Sequence, residues 1–483
     1  MKNNKAMGRR DFLRWAGCGA LGAAVFPGLG KSAGATFQAL EKNKPNVLFI
    51  LADDMRPDCI GALGNPHIQT PHLDKLVARG MAFTRTYVQG ANSGAVCTPS
   101  RTMLLTGRSV FHFGKGGFAN PDKGQAVLWA DAMRAGGYET FHLGKKGNSH
   151  LPGMQAFETC LFTGEIGADD HAVSSQKSAD RVLEFLRSRK TDRPFFIYLA
   201  PPVPHDPRVA PKEFMDRYDP AKLPLPPSYM PVHPFDNGEM TVRDECLAPW
   251  PRTEAVVKRH LADDYACITC FDHHIGRLVA QLEASGQLAN TVIIFAADNG
   301  LSLGDHGLMG KQNLYEFGGM HVPLVFAGPG IPHGTSEAFA YLFDVYPTVC
   351  DLTGTPVPPA VESQSLAPVI AGKKTGVRDV AFTAYRQCQR AVRDARWKLI
   401  RYPLVNKTQL FDLEKDPHEL NDLAEKPEFA DKLKAMLALL AQQQKLYDDV
   451  VPLTVADPRP AAWTPPDKDM KPKKKAGKKQ KGL

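Results

Sequence analysis

Five short apolar runs, separated by stretches with helical periodicity, constrain the fold more than any other feature of the sequence. The runs are continuous rather than alternating, which is typical of strands buried on both faces. Strands that alternate with helices along a chain form a mostly parallel sheet flanked by helices, so we predict an α/β fold. The predicted strands are residues 46–52, 139–143, 194–200, 291–297 and 322–327.

The C-terminal part has a different pattern, which divides the predicted catalytic domain, residues 36–375, from a small antiparallel subdomain, residues 376–450. Short strand-like runs separated by tight turns precede one helical stretch near residues 427–446. Residues 205–250 are rich in proline and predict a long surface loop. The short runs of the subdomain are residues 380–385, 389–392, 397–402 and 409–412.

The N-terminal 35 residues have the order of a signal peptide. Arg9 and Arg10 precede a weakly apolar stretch, and small residues at 33–35 offer a cleavage site. Twin arginines indicate the export route for folded proteins, so we expect a periplasmic or extracellular protein. The apolar stretch is shorter than the roughly 20 residues that cross a bilayer, so we expect no stable membrane span.

The net charge of +8 comes from the chain ends. Residues 451–483 form a predicted tail whose last part is rich in lysine, whereas the body between the ends is slightly acidic. The tail could hold the protein near polyanions or be a solvated end without a partner. A slightly acidic body does not favour nucleic acid as a partner.

Polar residues follow four of the predicted strands directly or closely. Asp53 and Asp54 end the first strand, Lys145 follows the second, His205 follows the third, and Asp298 with Asn299 ends the fourth. The carboxyl ends of parallel strands form the ligand crevice of an open α/β sheet, so these groups are expected to converge.

Three of these residues are carboxylates and one is an amide. Asp53, Asp54, Asp298 and Asn299 offer hard oxygen donors, which suit Ca²⁺ or Mg²⁺ and not Zn²⁺. An Asp-Asp pair after a strand is also a common turn or helix cap, so either pair alone is a weak indication.

Cys97 begins the stretch Cys-Thr-Pro-Ser-Arg, which is typical of the start of a helix with Pro99 in its first turn. A cysteine at a helix N-terminus, with Arg101 one turn away on the same face, resembles an activated nucleophile beside an anion site. A structural cysteine before a capped helix is the alternative. A second cysteine pair, Cys267 and Cys270, lies in a predicted helix near residues 255–285 and is expected to be packing.

The stretch from Cys97 to Arg101, followed by Leu-Thr-Gly-Arg at residues 105–108, resembles the maturation signature of the formylglycine-dependent sulfatases of the alkaline phosphatase superfamily. Asp53-Asp54, Asp298-Asn299-Gly300 and the Gly-Asp-His-Gly-Leu-Met-Gly-Lys stretch at 304–311 are similar to further motifs of that family. The resemblance spans roughly residues 44–425 and implies a sulfatase with the alkaline phosphatase-like fold.

The resemblance also implies a mechanism. A formylglycine-generating enzyme would oxidise Cys97, and the hydrate of the aldehyde would attack the sulfur of a sulfate ester while Ca²⁺ acts as a Lewis acid. The calcium ligands would be Asp53, Asp54, Asp298, Asn299 and the modified Cys97. Arg101 would hold the hydrate, Lys145 would contact the sulfate, and Lys311 and His205 would lie near the leaving oxygen. Sulfated glycans or small sulfate esters are the implied substrates.

One position departs from the family. Gly147 stands where the family has a histidine two residues after Lys145. Either His150 or Lys146 points into the site instead, with His150 the better candidate, or the pocket is wider and accepts a bulky group beside the sulfate. Two other functions remain open: hydrolysis of phosphonates or phosphodiesters with the same formylglycine, and polyanion binding by a protein that never modifies Cys97.

Overall fold

The computed structural model describes residues 44–113 and 126–466. Its core is a nine-stranded sheet, counted within these residues. The strands of this large sheet are β1 (Asn46–Ala52), β2 (Gly80–Tyr87), β4 (Glu139–Gly144), β5 (Thr159–Phe162), β6 (Phe195–Ala200), β7 (Thr291–Ala297), β8 (His321–Val322), β9 (Leu324–Ala327) and β10 (Gly334–Tyr341). Their order is β10-β2-β9-β7-β1-β6-β4-β5, and the short β8 pairs with β2.

The middle of the large sheet is parallel, as predicted. β1 pairs in parallel with both β6 and β7, and every residue of β1 and β7 is buried. This burial on both faces explains why their sequences are continuous apolar runs. The mixed α/β fold with mostly parallel strands is therefore confirmed.

One side of the sheet differs from the parallel middle. β9 pairs antiparallel with both β7 and β2, and Pro323 separates β8 from β9, where the sequence predicted one continuous strand. β2 and β10 were not predicted at all. Both carry exposed polar residues on one face, such as Thr84 and Glu337, so neither forms a continuous apolar run.

A second, five-stranded sheet has the order β14-β13-β12-β11-β3. Its last four strands pair antiparallel, as predicted, whereas β3 joins β11 in parallel and comes from the N-terminal half of the chain. These strands are β3 (Gly90–Ala91), β11 (Ala381–Tyr385), β12 (Gln389–Arg393), β13 (Trp397–Tyr402) and β14 (Lys407–Asp412).

Residues 451–466, which the sequence analysis assigned to the tail, lie along the body. The backbone of Asp236 donates to Ala461, and Trp463 meets Trp250 edge to face. The lysine-rich end and the signal-peptide residues lie outside the described residues.

Helices cover the large sheet. The longest helix contains the second cysteine pair and shows what role the pair has. Cys267 and Cys270 are buried within Glu254–Ala284, where they pack against Ala210 and Phe214. They are packing residues, as expected. The helices are α1 (Pro71–Ala78), α2 (Cys97–Thr106), α3 (Trp129–Ala135), α4 (Leu151–Gln155), α5 (His171–Ser188), α6 (Lys212–Met215), α7 (Glu254–Ala284), α8 (Val345–Thr353), α9 (Ala367–Ile370) and α10 (Ala430–Leu446).

Candidate active site

The carboxyl ends of β1 and β7 bring the predicted oxygen donors together. The two strands are adjacent and in register, with Ala52 opposite Ala297, so the residues that follow them are neighbours. The backbone N–H of Asp54 donates to Asp298 Oδ1 at 3.1 Å, and Asn299 Nδ2 donates to Asp54 Oδ1 at 2.8 Å. Asp54 has a φ of 68°, a left-handed conformation that is uncommon outside glycine and turns the chain sharply at the strand end.

Cys97 is the first residue of α2 and lies at the centre of this group. Its Sγ is 3.6 Å from Asp53 Oδ1, 3.6 Å from Asp54 Oδ1 and 3.2 Å from Asn299 Oδ1. One ligand atom from each of Asp53, Asp54, Cys97 and Asp298 lies within 4.8 Å of the others, and all four residues are buried. The oxygen donors expected from the sequence therefore converge beside residue 97.

Three cationic side chains surround the carboxylates. Lys311 Nζ lies 2.6 Å and 2.8 Å from the two oxygens of Asp54, and 3.2 Å from Cys97 Sγ. Arg101 donates from Nε to Asp298 at 2.8 Å and reaches Asp53 from Nη2 at 3.2 Å. Lys145 forms an ion pair with Asp53. Each carboxylate thus has at least one positive partner, as burial of charge requires.

These cations shift the pKa values of the three carboxyl groups by different amounts. Burial alone would raise the pKa of Asp53, but Lys145 and Arg101 outweigh burial and lower this pKa to about 2. The pKa of Asp54 is also lowered, against burial, chiefly by Lys311. Burial and the neighbouring Asp53 raise the pKa of Asp298 in spite of Arg101. Two of the three carboxylates are therefore firmly ionised at neutral pH.

The surroundings of Cys97 bear on the two interpretations that the sequence left open, an activated nucleophile and a structural cysteine. Burial and the charge of Asp298 raise the pKa of the thiol well above the ordinary value, so the helix N-terminus does not activate it. Lys145 and Lys311 act in the other direction and do not compensate. The residue is therefore a protonated thiol that is 1% exposed, and an unmodified thiol of this kind is a poor nucleophile.

His205 lies in the loop after β6, on the open side of the carboxylates. Its Nε2 is 3.7 Å from Asp54 Oδ2, and its Nδ1 lies 2.7 Å from the backbone oxygen of Asp206, which accepts from it. This hydrogen bond places the proton on Nδ1 and leaves Nε2 facing Asp54 as an acceptor when the ring is neutral. The residues to which the family resemblance assigns a role therefore meet at one place.

A cavity of about 390 Å³ opens beside Lys145 and His205. Gly147 lines it, and a side chain there would have no atom within 4 Å, so the glycine leaves open space. His171, the first residue of α5, also lines the cavity, and its ring lies 6.5 Å from that of His205. Sequence analysis missed His171 because it starts a helix and follows no predicted strand.

His150 and Lys146, the two candidates to replace the family's histidine at Gly147, lie in different surroundings. His150 is 1% exposed and caps α4, where its Nδ1 accepts from the backbone N–H of Gly153 at 3.1 Å. It is not among the residues that line the cavity, so the expectation that His150 points into the site is wrong. Lys146 does line the cavity, with its ammonium group 5.3 Å from the centre of the Phe162 ring.

Comparison with known proteins decides the family. The family model named "Sulfatase" matches residues 45–355, which is more than half of the chain and includes every residue of the candidate site. The chain belongs to the sulfatase family. A second model of the family, "N-sulphoglucosamine sulphohydrolase, C-terminal", matches residues 304–446, which contain the small antiparallel sheet. As a sulfatase, the protein is an enzyme that hydrolyses sulfate esters.

Individual sulfatases match over most of their length. An arylsulfatase of Clostridium perfringens is 26% identical, and the alignment covers 83% of this chain and 94% of the relative. An N-acetylglucosamine-6-O-sulfatase of Bacteroides thetaiotaomicron is also 26% identical, with 85% and 88% covered. The resemblance seen in the sequence is therefore confirmed.

Solved structures show the same fold. An enzyme in complex with its substrate D-glucosamine-2-N,6-O-disulfate has a TM-score of 0.69 at 23% identity, with 85% of this chain and 99% of the neighbour covered. A phosphonate monoester hydrolase of Agrobacterium radiobacter has a TM-score of 0.71 at 22% identity, with 84% and 96% covered. Among residues 44–113 and 126–466, no helix has the length and apolar character needed to cross a membrane.

Proposed function

We propose that this sulfatase is exported and removes sulfate from sulfated glycans, using formylglycine made from Cys97 and a bound Ca²⁺. The observation that carries this proposal is the convergence of Asp53, Asp54 and Asp298 on Cys97 within 4.8 Å. Buried carboxylates at this spacing repel one another unless cations hold them. Lys145, Lys311 and Arg101 already do so in part.

A divalent cation fits the donor set. Asp53, Asp54, Asp298 and Asn299 present only oxygen donors around residue 97, and hard cations prefer these ligands. Ca²⁺ suits the site better than Mg²⁺ because it accepts several protein oxygens without strict octahedral geometry. The bound cation would supply Lewis acidity toward the sulfate oxygens.

Residue 97 needs chemical conversion before it can act as the nucleophile. Its raised pKa keeps the thiol protonated, whereas an aldehyde hydrate at this position would offer an oxygen nucleophile. Because Cys97 is 1% exposed, a formylglycine-generating enzyme could reach it only before the chain finishes folding. Export of the folded protein would follow this modification, which agrees with the twin arginines near the N-terminus.

The cationic side chains can then act on the sulfate. Arg101 has two carboxylate partners and orients the donor groups around residue 97. Lys145 lines the cavity, and its ammonium group, which pairs with Asp53, can also bind an oxygen of the sulfate group. Charge that builds up on these oxygens in the transition state is stabilised by preorganised donors, which require no rearrangement during the reaction.

Two groups can act on the leaving oxygen. Lys311 is buried, and Asp54 raises its pKa against the effect of burial, so it stays charged and can stabilise negative charge. His205 borders the cavity that the alcohol would occupy. We assign the proton donor to His205, which can donate from Nε2 when both ring nitrogens carry a proton.

Sulfated glycans are the proposed substrates because charged and polar side chains line the open cavity beside the site and can bind the hydroxyl groups of a sugar. The N-acetylglucosamine-6-O-sulfatase relative and the structural neighbour bound to glucosamine disulfate support a sugar substrate.

Mass spectrometry of the peptide that contains Cys97 tests the proposal directly. Conversion to formylglycine replaces sulfur and two hydrogens with one oxygen, and we expect this loss of mass in protein from a host with the maturation enzyme. The converted protein should release sulfate from an aryl sulfate faster than it cleaves an aryl phosphodiester. An unmodified Cys97 in protein with full sulfatase activity would contradict the proposal.

A further inference from the structure

Charged side chains of both signs line the cavity beside Lys145. Lys146 has its ammonium group 5.3 Å from the centre of the Phe162 ring. Glu165 and Asp169 also line the cavity and belong to the segment that leads from β5 to α5. Neither of these two carboxylates forms an ion pair with a described residue, and both are exposed at the cavity.

Local hydrogen bonds hold the two carboxylates in place. Glu165 Oε2 accepts from the backbone N–H of Phe162 at 3.1 Å, and Asp169 Oδ1 accepts from Thr163 Oγ1 at 2.7 Å. Each group uses one oxygen for the fold and keeps the other for a ligand. We call Glu165 and Asp169 the acidic wall.

Gly164 keeps the acidic wall open to the cavity. A side-chain carbon at Gly164 would lie 2.7 Å from Asp169 Oδ2, which is too close for any contact. Gly164 therefore leaves this oxygen uncovered, and it lines the cavity together with Gly147. The alcohol part of a substrate can thus approach the carboxylate of Asp169.

The other charges of the cavity are already compensated. Asp206 pairs with Arg243, and Lys145 pairs with Asp53. The cavity charges without such a partner among the described residues are therefore Lys146 and the two members of the acidic wall, which leaves an excess of negative charge where the alcohol part would sit.

We propose that the acidic wall makes the enzyme prefer sulfate esters whose alcohol part carries an ammonium group over esters that carry a second anion. The wall attracts a cation and repels a carboxylate or second sulfate beside the ester. This inference rests on the proposed function and adds to it a preference for the charge that the alcohol part of the substrate carries. The sulfate group is common to all the esters that are compared, so its own interaction with the wall does not affect the preference.

Three phenyl sulfates of similar size test the proposal: the meta-aminomethyl, meta-hydroxymethyl and meta-carboxy compounds. At low ionic strength and near neutral pH, kcat/KM should fall in that order, with about a tenfold difference between the first and the last. The difference should shrink at high salt because exposed charges are screened.

Neutral variants identify the residues responsible. Glu165→Gln and Asp169→Asn keep the oxygen that accepts the local hydrogen bond, so the fold should persist. The double variant should lose most of the preference while kcat/KM for the uncharged hydroxymethyl ester changes by less than about threefold. Gly164→Ala, which displaces the Asp169 carboxylate, should reduce the preference in part.

Asp170→Asn is the matched control. Asp170 has the same charge and neighbours Asp169, but it caps α5 and does not line the cavity. Asparagine is an equally good cap, so this variant should keep the preference. A wild-type enzyme that cleaves the three esters equally, or a preference that survives in the double variant, overturns the proposal. Failure to cleave even the hydroxymethyl ester would instead contradict the proposed function.

Discussion

Two buried clusters of charged side chains in this protein look alike but have different surroundings. The active-site cluster joins Asp53, Asp54 and Asp298 to three cations at the ends of β1 and β7. The junction cluster joins Glu316 and Glu419 to Lys398 and Arg393 between the two sheets. In both clusters, carboxylates that are removed from water are held by lysine and arginine.

The active-site cluster and the junction cluster differ in what surrounds them. The active-site cluster surrounds a buried cysteine and borders a cavity of about 390 Å³. The junction cluster encloses only about 10 Å³, and Tyr87 and His321 close it off. Lys398 Nζ lies 2.9 Å from an oxygen of each glutamate, so a single cation of β13 links the segment between β7 and β8 to the segment after β14.

A buried ion cluster is therefore not by itself an indication of catalysis. Shifted carboxyl pKa values occur in both clusters: Arg393 and Lys398 lower the pKa of Glu316 against burial, as Lys145 does for Asp53. What distinguishes the active-site cluster is an adjoining cavity, a buried cysteine at its centre, and oxygen donors that follow separate parallel strands. The following predictions test this distinction.

Cys97→Ser should have the largest effect. The side chain changes little in volume, so the free energy of unfolding should stay within about 1 kcal/mol of wild type. Turnover of an aryl sulfate should fall by roughly 10³-fold or more, because the nucleophile is lost. The matched control is Cys267→Ser, another buried cysteine, which lies in α7 away from the site and should keep turnover. Similar turnover in the two variants would remove Cys97 from the mechanism.

Removal of the metal should affect the active-site cluster alone. Dialysis against a chelator should abolish sulfate release and lower Tm, since a ligand that binds only the folded state stabilises it. Ca²⁺ should restore both properties better than Mg²⁺ at equal concentration. Asp298→Asn should weaken the response of Tm to Ca²⁺. A Lys398→Met variant should show the wild-type response, and a loss there would mean that the two clusters are coupled.

Two lysine substitutions compare the clusters directly. Lys145→Met should lower turnover by about 10²-fold with a small change in stability, since Asp53 keeps Arg101 as a partner. Lys398→Met should leave turnover nearly unchanged but lower the free energy of unfolding by about 3 kcal/mol, because two buried glutamates lose their shared cation. Kinetics and urea unfolding measure the two effects. Equal losses of activity would contradict the distinction between the clusters.

The pH dependence of stability should report Glu419. Burial, together with Glu316, raises the pKa of Glu419 to about 7 in spite of Lys398. A carboxyl group with a raised folded-state pKa stabilises the fold below its unfolded value, and this contribution is lost as pH rises toward 7. Glu316 has a lowered pKa and loses its contribution only in more acidic solution, so the two groups are separable.

The Glu419→Gln variant isolates this titration. Relative to wild type, it should gain on the order of 2 kcal/mol between pH 5 and pH 8, measured by urea unfolding at both values. Turnover at either pH should follow wild type, since the junction cluster is closed off from the cavity. A pH-independent difference between the proteins would mean that Glu419 is ionised throughout.

Much of the fold could be predicted because its parallel middle has a strong sequence pattern. The bounds of β1 and β7 agree with the predicted runs, and the donors that follow them converge as expected. β2 and β10 were missed because their exposed residues interrupt the apolar pattern. The junction cluster was missed because its members are far apart in the sequence and only tertiary packing brings them together.

In the active site, too, the sequence predicts the positions of residues better than it predicts their environment. The positions of Asp53, Asp298 and Cys97 followed from strand ends and a helix start, but the pKa of Cys97 did not. That pKa depends on how deeply the carboxylates are buried around the thiol, which local sequence does not encode. His171 was missed for a related reason, since its proximity to His205 results from the packing of α5 beside the loop after β6.

His150→Ala should have the smallest effect, and it tests the corrected position of this histidine. His150 caps α4 and is buried away from the cavity, so its loss should lower the free energy of unfolding by about 1 kcal/mol through the lost cap. Turnover on several sulfate esters should stay within about twofold of wild type. His205→Ala is the control, because it lines the cavity and should lose turnover while it keeps stability. A large loss of turnover in His150→Ala, without a loss of stability, would restore the original expectation that this residue acts on the substrate.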